Sequence, residues 1–294
     1  MRHVIPEGQR PTPLREYLPR ALSDVPEWAV RRALDERQVK RAGRRLAAGD
    51  IVRGGEQLTI YLPKAALGRE EPRIATVYED ARIWVVEKPR GIASRQVDDP
   101  RGAPGVLECL RRQAEGRGEP PEAVRALRLC HRLDHHTGGL LLLAKDDRTE
   151  AALRGAFERR EIEKFYTCLV VGTPEPPRAA LRAYLRKDAG AARVAVRGEP
   201  FPGASPIETG YRVLSAGDVA RLEVRLITGR THQIRAHLAH IGHPVLGDDK
   251  YGDRAANRRH GARRQMLWAT RLTLRAGGEW PDLDGRTFSV EAPF

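Results

Sequence analysis

Cysteine, methionine, lysine and aromatic residues are all scarce in this chain of 294 residues. Its three cysteines, Cys109, Cys130 and Cys168, lie far apart without a CxxC pair, which argues against both a disulfide framework and a zinc knuckle. The N-terminal stretch MRHVIPEGQRPTP lacks the apolar core of a secretory signal, so a reducing cytoplasm is the expected compartment. No apolar run approaches the ~20 residues that a spanning helix needs, and no membrane association is expected. Lysine is outnumbered by arginine 45 to 7. Such a bias can reflect genome composition, so the placement of the charge says more than its total.

The total is nonetheless high, a formal +13 with a sequence pI near 10.2. Cations that neutralise phosphates release counterions, and RNA or DNA is therefore the first partner to consider. Residues 1–70 carry 14 basic and 9 acidic residues against 38 and 30 in residues 71–294, which makes the amino-terminal part denser in positive charge. The chain is long enough for one large domain with a small companion. We place a small basic α/β module at residues 1–70 and the main domain at 71–294, with the charged, aperiodic stretch 64–73 as linker.

Within the module, Leu14, Tyr17, Leu18 and Leu22 fall at helical spacing, and Val25-Pro26 interrupts before a second helix bearing Trp28, Val30, Ala33 and Leu34. Gly43, Gly49-Asp50 and Gly54-Gly55 supply turns, and Leu58 to Leu62 close the module as a strand. Between them lie Arg31, Arg32, Arg37, Lys40, Arg41, Arg44 and Arg45 against only Asp35 and Glu36. This basic face either contacts phosphate or is a solvated face of a helical cap.

The main domain opens with IATVYEDARIWVVEKPRGI, in which Ile83 to Val86 read as a strand and KPRG as a sharp turn. Residues 94–126 show a single helical fragment near Val106 to Leu110. The central stretch is HRLDHHTGGLLLLAK, residues 131–145. Four consecutive leucines predict a strand buried on both faces, and Thr137-Gly138-Gly139 predicts a turn before it, leaving Asp134 on a loop feeding that strand. Asp134 is either catalytic or a turn cap paired with Arg132. A helix at 148–161 and a strand at 164–171 follow, with Tyr166 either a core aromatic or a functional one. Residues 173–206 are expected to be an irregular insertion, and 208–214 and 219–227 to be paired strands.

TGRTHQIRAHLAHIGHPVLGDDKYG, residues 228–252, predicts a helix capped by Thr231, with Ile234, Leu238 and Ile241 on its apolar stripe and Gly242 at its end. His237, His240 and His243 with Asp248 and Asp249 raise a metal-dependent hydrolase, but no HxxxH pair occurs there and Gly242 stops the helix before His243.

VVEKPRG, HRLDHHTGGLLLLAK, KFYTCLVVG and the 228–252 stretch, in that order, resemble the RluA-type pseudouridine synthases over residues 74 to about 294. The module resembles the small RNA-binding domain with an αL core first recognised in a small-subunit ribosomal protein. One departure is visible: Gly138 stands where the family commonly has serine. The resemblance implies an α+β fold with a mixed, largely antiparallel sheet around a central cleft, and isomerisation of uridine to pseudouridine in structured RNA without metal or other cofactor. It implies ribosomal RNA as the substrate, with transfer RNA as the alternative, and a monomer with no obligate protein partner is expected. Asp134 would be the nucleophile and Arg230 the cation that holds it ionised. Tyr166 would stack on the flipped uracil and assist proton removal at C5, with Ile234 packing on its other side. Arg132 and Arg235 would bind the RNA around the extruded uridine, and the seven module cations would contact its backbone. An RNA-binding protein without catalysis is the competing reading.

Overall fold

The computed structural model describes residues 1–23, 25, 27–62, 73–95, 104–188, 193–275 and 280–294, and the backbone alone at Trp28. The expected linker therefore lies, apart from Arg73, outside the described residues, as does Pro26. The chain divides into two compact units, residues 1–73 with 95–109 and residues 74–94 with 110–294.

The first unit runs β1 (Arg2–Val4), β2 (Thr12–Pro13), α1 (Leu14–Ala21), α2 (Glu27–Asp35), β3 (Val39–Arg41), β4 (Arg44–Arg45), β5 (Ile51–Val52) and β6 (Gln57–Ile60). Leu14, Tyr17, Leu18 and Leu22 are buried, and they share a core with Val30, Ala33 and Leu34. The helical spacing thus produces the helix pair. The antiparallel sheet β1-β6-β3-β4 completes the core, with Leu58 and Ile60 of β6 facing inward.

From Ile74 onward the elements are β7 (Ala75–Glu79), β8 (Ile83–Lys88), α3 (Val106–Gly116), α4 (Pro121–Ala126), β9 (Arg128–Leu129), β10 (Gly138–Ala144), α5 (Asp147–Glu158) and β11 (Ile162–Val171). They continue as β12 (Arg178–Asp188), β13 (Arg193–Arg197), β14 (Ser205–Ser215), β15 (Val219–Leu226), α6 (Gln233–His240), α7 (Arg254–Arg259), β16 (Leu267–Leu274) and β17 (Thr287–Ser289). The strands form one sheet in the order β13-β12-β14-β15-β11-β16-β10-β8-β7, with β17 on β16 and β9 on β10. Among the described residues, only the β10–β16 pair of named strands is parallel. The fold is α+β with a mixed, mostly antiparallel sheet.

Two expectations are corrected. Residues 173–206 hold β12 and β13 instead of an irregular insertion, because RAALRAYLRKD alternates exposed arginines with inward Ala183 and Leu185. Small residues and arginines hid a period of two. Residues 94–126 also carry more than one helical fragment, namely α3 and α4.

The leucine run behaves as its composition demands. Every residue of β10 is buried; Leu140, Leu142 and Ala144 pack with Leu153 and Ala156 of α5 and with Ile83 and Val85 of β8. Its first two residues are glycines for a steric reason. A Cβ on Gly138 would lie 2.1 Å from the Trp268 ring, and one on Gly139, whose φ is +106°, would lie 2.2 Å from the Ala269 carbonyl oxygen. Ala269 is register-paired with Gly139 on one side and with Tyr166 of β11 on the other. The start of β10 and Tyr166 are thus two strand spacings apart, roughly 9–10 Å.

The departure at Gly138 has a structural counterpart in Trp268, whose ring occupies the space that a serine side chain would need. Gly138→Ser is expected to cost about 1–3 kcal/mol by overpacking and to lower Tm accordingly. In a Trp268→Ala background the same change should cost close to nothing. A double-mutant cycle by urea denaturation measures the difference, and equal costs in both backgrounds would refute the steric account.

Candidate active site

Asp134 sits on a loop pinned from two sides. Its own carbonyl accepts the Thr137 amide at 3.0 Å, and the Thr137 hydroxyl accepts from Gln265 Nε2 at 2.7 Å. On the other side, the turn after β8 grips the loop: Gly91 N donates to His135 O at 2.9 Å, and the Ser94 hydroxyl bonds both the amide and the carbonyl of Leu133. Lys88, fully buried, donates to Pro89 O, Ile92 O and His135 O at 3.0, 2.8 and 3.2 Å. Burial pulls its pKa down to about 7 against the charge of Asp134, yet three acceptors matched to three N–H donors favour the ammonium. Lys88, Ser94 and Gln265 were not singled out from the sequence; the only signal was the KPRG turn.

The cation on Asp134 is Arg235, not the expected Arg230. Arg235 Nη1 donates to Asp134 Oδ2 at 2.9 Å, and its side chain is only 3% exposed. Arg230 lies on the loop before α6 with its side chain exposed and its amide bonded to Gln233 Oε1 at 3.0 Å. The physical reason is the helix start. His232, not Thr231, occupies the N-cap, with φ 55°, and α6 is anchored to β14 through Gln233 to Thr209 and His237 to Thr209, each at 3.0 Å. This orientation turns the second arginine of the motif inward. The far end behaves as expected: Gly242, φ +86°, closes the helix with His243 N bonded to Leu238 O and Gly242 N to Ala239 O, the double bond pattern of a Schellman end.

Arg235 is in turn held by Asp248, through Nε to Oδ2 at 2.6 Å and Nη2 to Oδ1 at 2.9 Å, and by Asp249 at 3.3 Å. Burial opposes its charge, but Asp248 and then Asp134 outweigh burial and raise its pKa. Asp248 is likewise held below the usual carboxylate range: burial works against ionisation, and Arg235 with the amides of Tyr251 and Lys250 overcomes it. His232 Nε2 approaches Asp134 Oδ2 to 4.0 Å. Among the described residues no hydrogen bond reaches Asp134 Oδ1, so one oxygen is held while the other carries no such bond.

Tyr166 and Ile234 are both buried, and burial together with the nearby charge of Asp134 raises the Tyr166 hydroxyl well above its ordinary pKa. It is a neutral phenol at neutral pH. Arg132 is exposed, and it is not the partner of Asp134. The histidines of the metal alternative point apart: His237 Nδ1 meets Thr209, His243 Nδ1 meets the Val171 carbonyl, and Asp248 is engaged by Arg235. In the first unit, Arg31, Arg32 and Arg41 pair with Glu27, Glu36 and Glu56, and Lys40 lies 5.1 Å over the Tyr61 ring. Arg37, Arg44 and Arg45 are exposed.

A family model described as RNA pseudouridylate synthase matches residues 82–240. The chain is 33% identical over 290 residues to "Ribosomal large subunit pseudouridine synthase C" of Vibrio vulnificus (strain CMCP6), covering 90% of this chain and 84% of that protein. It is 35% identical over 208 residues to "Ribosomal large subunit pseudouridine synthase D" of Escherichia coli (strain K12), covering 69% of this chain and 61% of that protein. Among solved structures, "Human RNA Pseudouridylate Synthase Domain Containing 4" aligns with a TM-score of 0.60 at 24% identity over 74% of this chain and 88% of that one, a likeness of fold.

Removing the charge that Asp134 and Asp248 share is expected to be costly. Arg235→Met should destabilise the protein by about 3–5 kcal/mol, whereas Arg230→Met at an exposed position should stay within about 0.5 kcal/mol; urea denaturation distinguishes them. The depressed Asp248 contributes stability that is complete above the ordinary carboxyl value of ~3.9 and is lost as pH falls through its lower folded value. Asp248→Asn should therefore remove part of the acid unfolding below about pH 4, read from Tm against pH.

Proposed function

Since the chain belongs to the RNA pseudouridylate synthase family, and its activity is the isomerisation of uridine in RNA, we propose that the substrate is large-subunit ribosomal RNA and that Asp134 is the nucleophile. The supporting observation is the asymmetry of its carboxylate: Oδ2 is engaged by a buried arginine, and Oδ1 accepts no hydrogen bond among the described residues. In the proposed reaction Oδ1 attacks the ribose C1′ and displaces uracil as an anion. The ring turns, C5 attacks C1′ and expels the carboxylate, and the proton lost from C5 is balanced by one gained at N1. Atoms and electrons balance without an external oxidant, metal or energy source. Arg235 orients the Asp134 carboxylate before attack and stabilises its charge again when it leaves.

Tyr166 stacks on the extruded uracil in this reading. Its raised pKa makes it a poor free base, so it takes the C5 proton only if its own proton leaves at the same time. Ile234 packs on the other side of the base, and Arg132 contacts the phosphate or fills the gap where the uridine leaves the stack. Arg230, exposed at the entrance of α6, is reassigned from Asp134 to the RNA backbone. Residues 1–70 form the RNA-binding module, and ribosomal RNA as the substrate rests on the names borne by the relatives.

Asp134→Asn should abolish pseudouridine formation in single-turnover assays while RNA affinity changes little; measurable product would sink the nucleophile assignment. The substrate is tested by mapping pseudouridine in ribosomal and transfer RNA from cells with and without the protein. For the module, changing Arg37, Arg44 and Arg45 together to Gln in the full chain should flatten the slope of log affinity against log salt by roughly 0.7 to 0.9 per lost phosphate contact. The loss should appear in KM rather than kcat. An unchanged slope would remove these residues from the interface.

A further inference from the structure

His232 holds a backbone conformation that few residues other than glycine adopt, φ 55° at the entrance of α6. Such strain persists only where its surroundings impose it, and it marks sites whose side-chain placement matters. His232 does not cap the helix through its side chain. Its imidazole is instead anchored at Nδ1, and Nε2 is turned toward Asp134. Nδ1 lies 3.0 Å from the Tyr251 hydroxyl, and that hydroxyl already accepts the Val194 amide of β13 at 2.8 Å. The Tyr251 hydroxyl still has its own proton to donate, and donation to Nδ1 is the arrangement that puts the imidazole proton on Nε2. Nε2 faces Asp134 Oδ2 at 4.0 Å, the same oxygen that Arg235 binds.

We propose that His232 is a positioning residue of the isomerisation: anchored by the Tyr251 hydroxyl, its neutral imidazole holds Asp134 Oδ2 beside Arg235 so that Oδ1 is presented to the ribose. The inference rests on the reading of Asp134 as nucleophile. At 4.0 Å the approach is longer than a hydrogen bond, and contacts of this kind tighten when substrate is bound. The sequence places Gly, Arg, Thr and His ahead of α6, and a glycine or asparagine at 232 would meet the backbone demand more easily than histidine; the imidazole is what those residues lack.

The charged and titratable groups around the ring come from each element packed on it. Asp134 faces it from the loop before β10, Arg235 from α6, Asp248, Lys250 and Tyr251 from the segment after α6, and Arg193 of β13 lies 5.8 Å over the Tyr251 ring. Burial lowers the His232 pKa, Asp134 opposes that, and Arg235 and Lys250 reinforce it. The ring is therefore neutral at neutral pH. Once protonated, it adds a second full charge beside Asp134 Oδ2, and a carboxylate neutralised twice is a weaker nucleophile. Activity is expected to fall on the acid side, below the ordinary histidine value of 6.5.

The test uses the full chain and a saturating RNA substrate, with kcat and KM followed from about pH 5 to 8.5 and Tm recorded for each variant. His232→Gly relieves the backbone and removes the ring; kcat at neutral pH should drop about 10- to 100-fold, by analogy with the range found for groups that orient metal ligands, with KM nearly unchanged. His232→Gln, which keeps a donor, should recover part of the loss, and the histidine-dependent acid limb should be absent from both. Tyr251→Phe should show a smaller drop in kcat and a displaced acid limb. Folded His232→Gly with the wild-type kcat and acid limb would overturn the proposal. If that variant does not fold, wild-type profiles for His232→Gln and Tyr251→Phe would overturn it equally. Asp134→Asn separates the two readings. An active Asp134→Asn defeats the nucleophile assignment itself, whereas an inactive one alongside wild-type His232 and Tyr251 profiles defeats only the inference about His232.

Discussion

A guanidinium that is 3% exposed can stay charged only if carboxylates replace the water it has lost, and the geometry around Arg235 follows from that need. Asp248 supplies the larger share, with two hydrogen bonds in the parallel fork that a planar guanidinium offers and an ammonium does not. Because Asp248 already balances the buried cation, Arg235 has one nitrogen left for Asp134 and need not bind both of its oxygens. The carboxylate that never meets a substrate on the proposed reading is thus what leaves the other one reactive.

The second constraint is steric and lies at the start of β10. Two successive glycines let the chain approach β16 so closely that a Cβ would enter the Trp268 ring at one position and the Ala269 backbone at the next. Ala269 also sets the register of Tyr166. The loop bearing Asp134 and the strand bearing Tyr166 are therefore measured from the same residue. Lys88 fixes the loop from the opposite side by binding the carbonyl of His135, next to Asp134.

The loop position of Asp134 was legible in the sequence, because four leucines behind two glycines mark a buried strand with a loop before it; the turn itself falls at His135 and His136, and Gly138 and Gly139 already belong to β10. The partner of Asp134 was not, since Arg230 and Arg235 belong to one motif and residue type does not reveal which of two arginines is buried. The helix start decided it, and that start lies at His232, whose left-handed backbone is uncommon for any residue with a side chain. Of the expected stripe, Ile234 and Leu238 are buried while Ile241 is the half-buried C-cap, and α6 is buried at every residue from Gln233 to Leu238, so periodicity could not single out Arg235. Strand β12 is hard to read because its inward positions are mostly alanine and leucine between arginines, and β13 because Val194 and Val196 are its only strand-favouring residues in a run of five. Lys88 escaped because a lysine next to a proline reads as turn surface, and its burial depends on carbonyls 4 and 47 residues away.

The same distinction between charge that is engaged and charge that is available applies to the amino-terminal module. Seven cations between Arg31 and Arg45 look equivalent in the sequence, yet Arg31, Arg32 and Arg41 face carboxylates and Lys40 lies over a tyrosine ring. The pairs of Arg31 and Arg32 are half exposed, where an ion pair contributes about 0–1 kcal/mol, so a phosphate can displace the glutamate at little cost. Arg41 is more enclosed and also donates to the Ile51 carbonyl, which ties it to the scaffold. Arg44 and Arg45 sit on β4, at the edge of the small sheet, and Arg37 lies at the turn before β3 with its backbone at φ 50°. On the proposed reading the phosphate-facing surface of the module is therefore the β3–β4 hairpin and the turn leading into it, with α2 contributing cations that must first leave their glutamates.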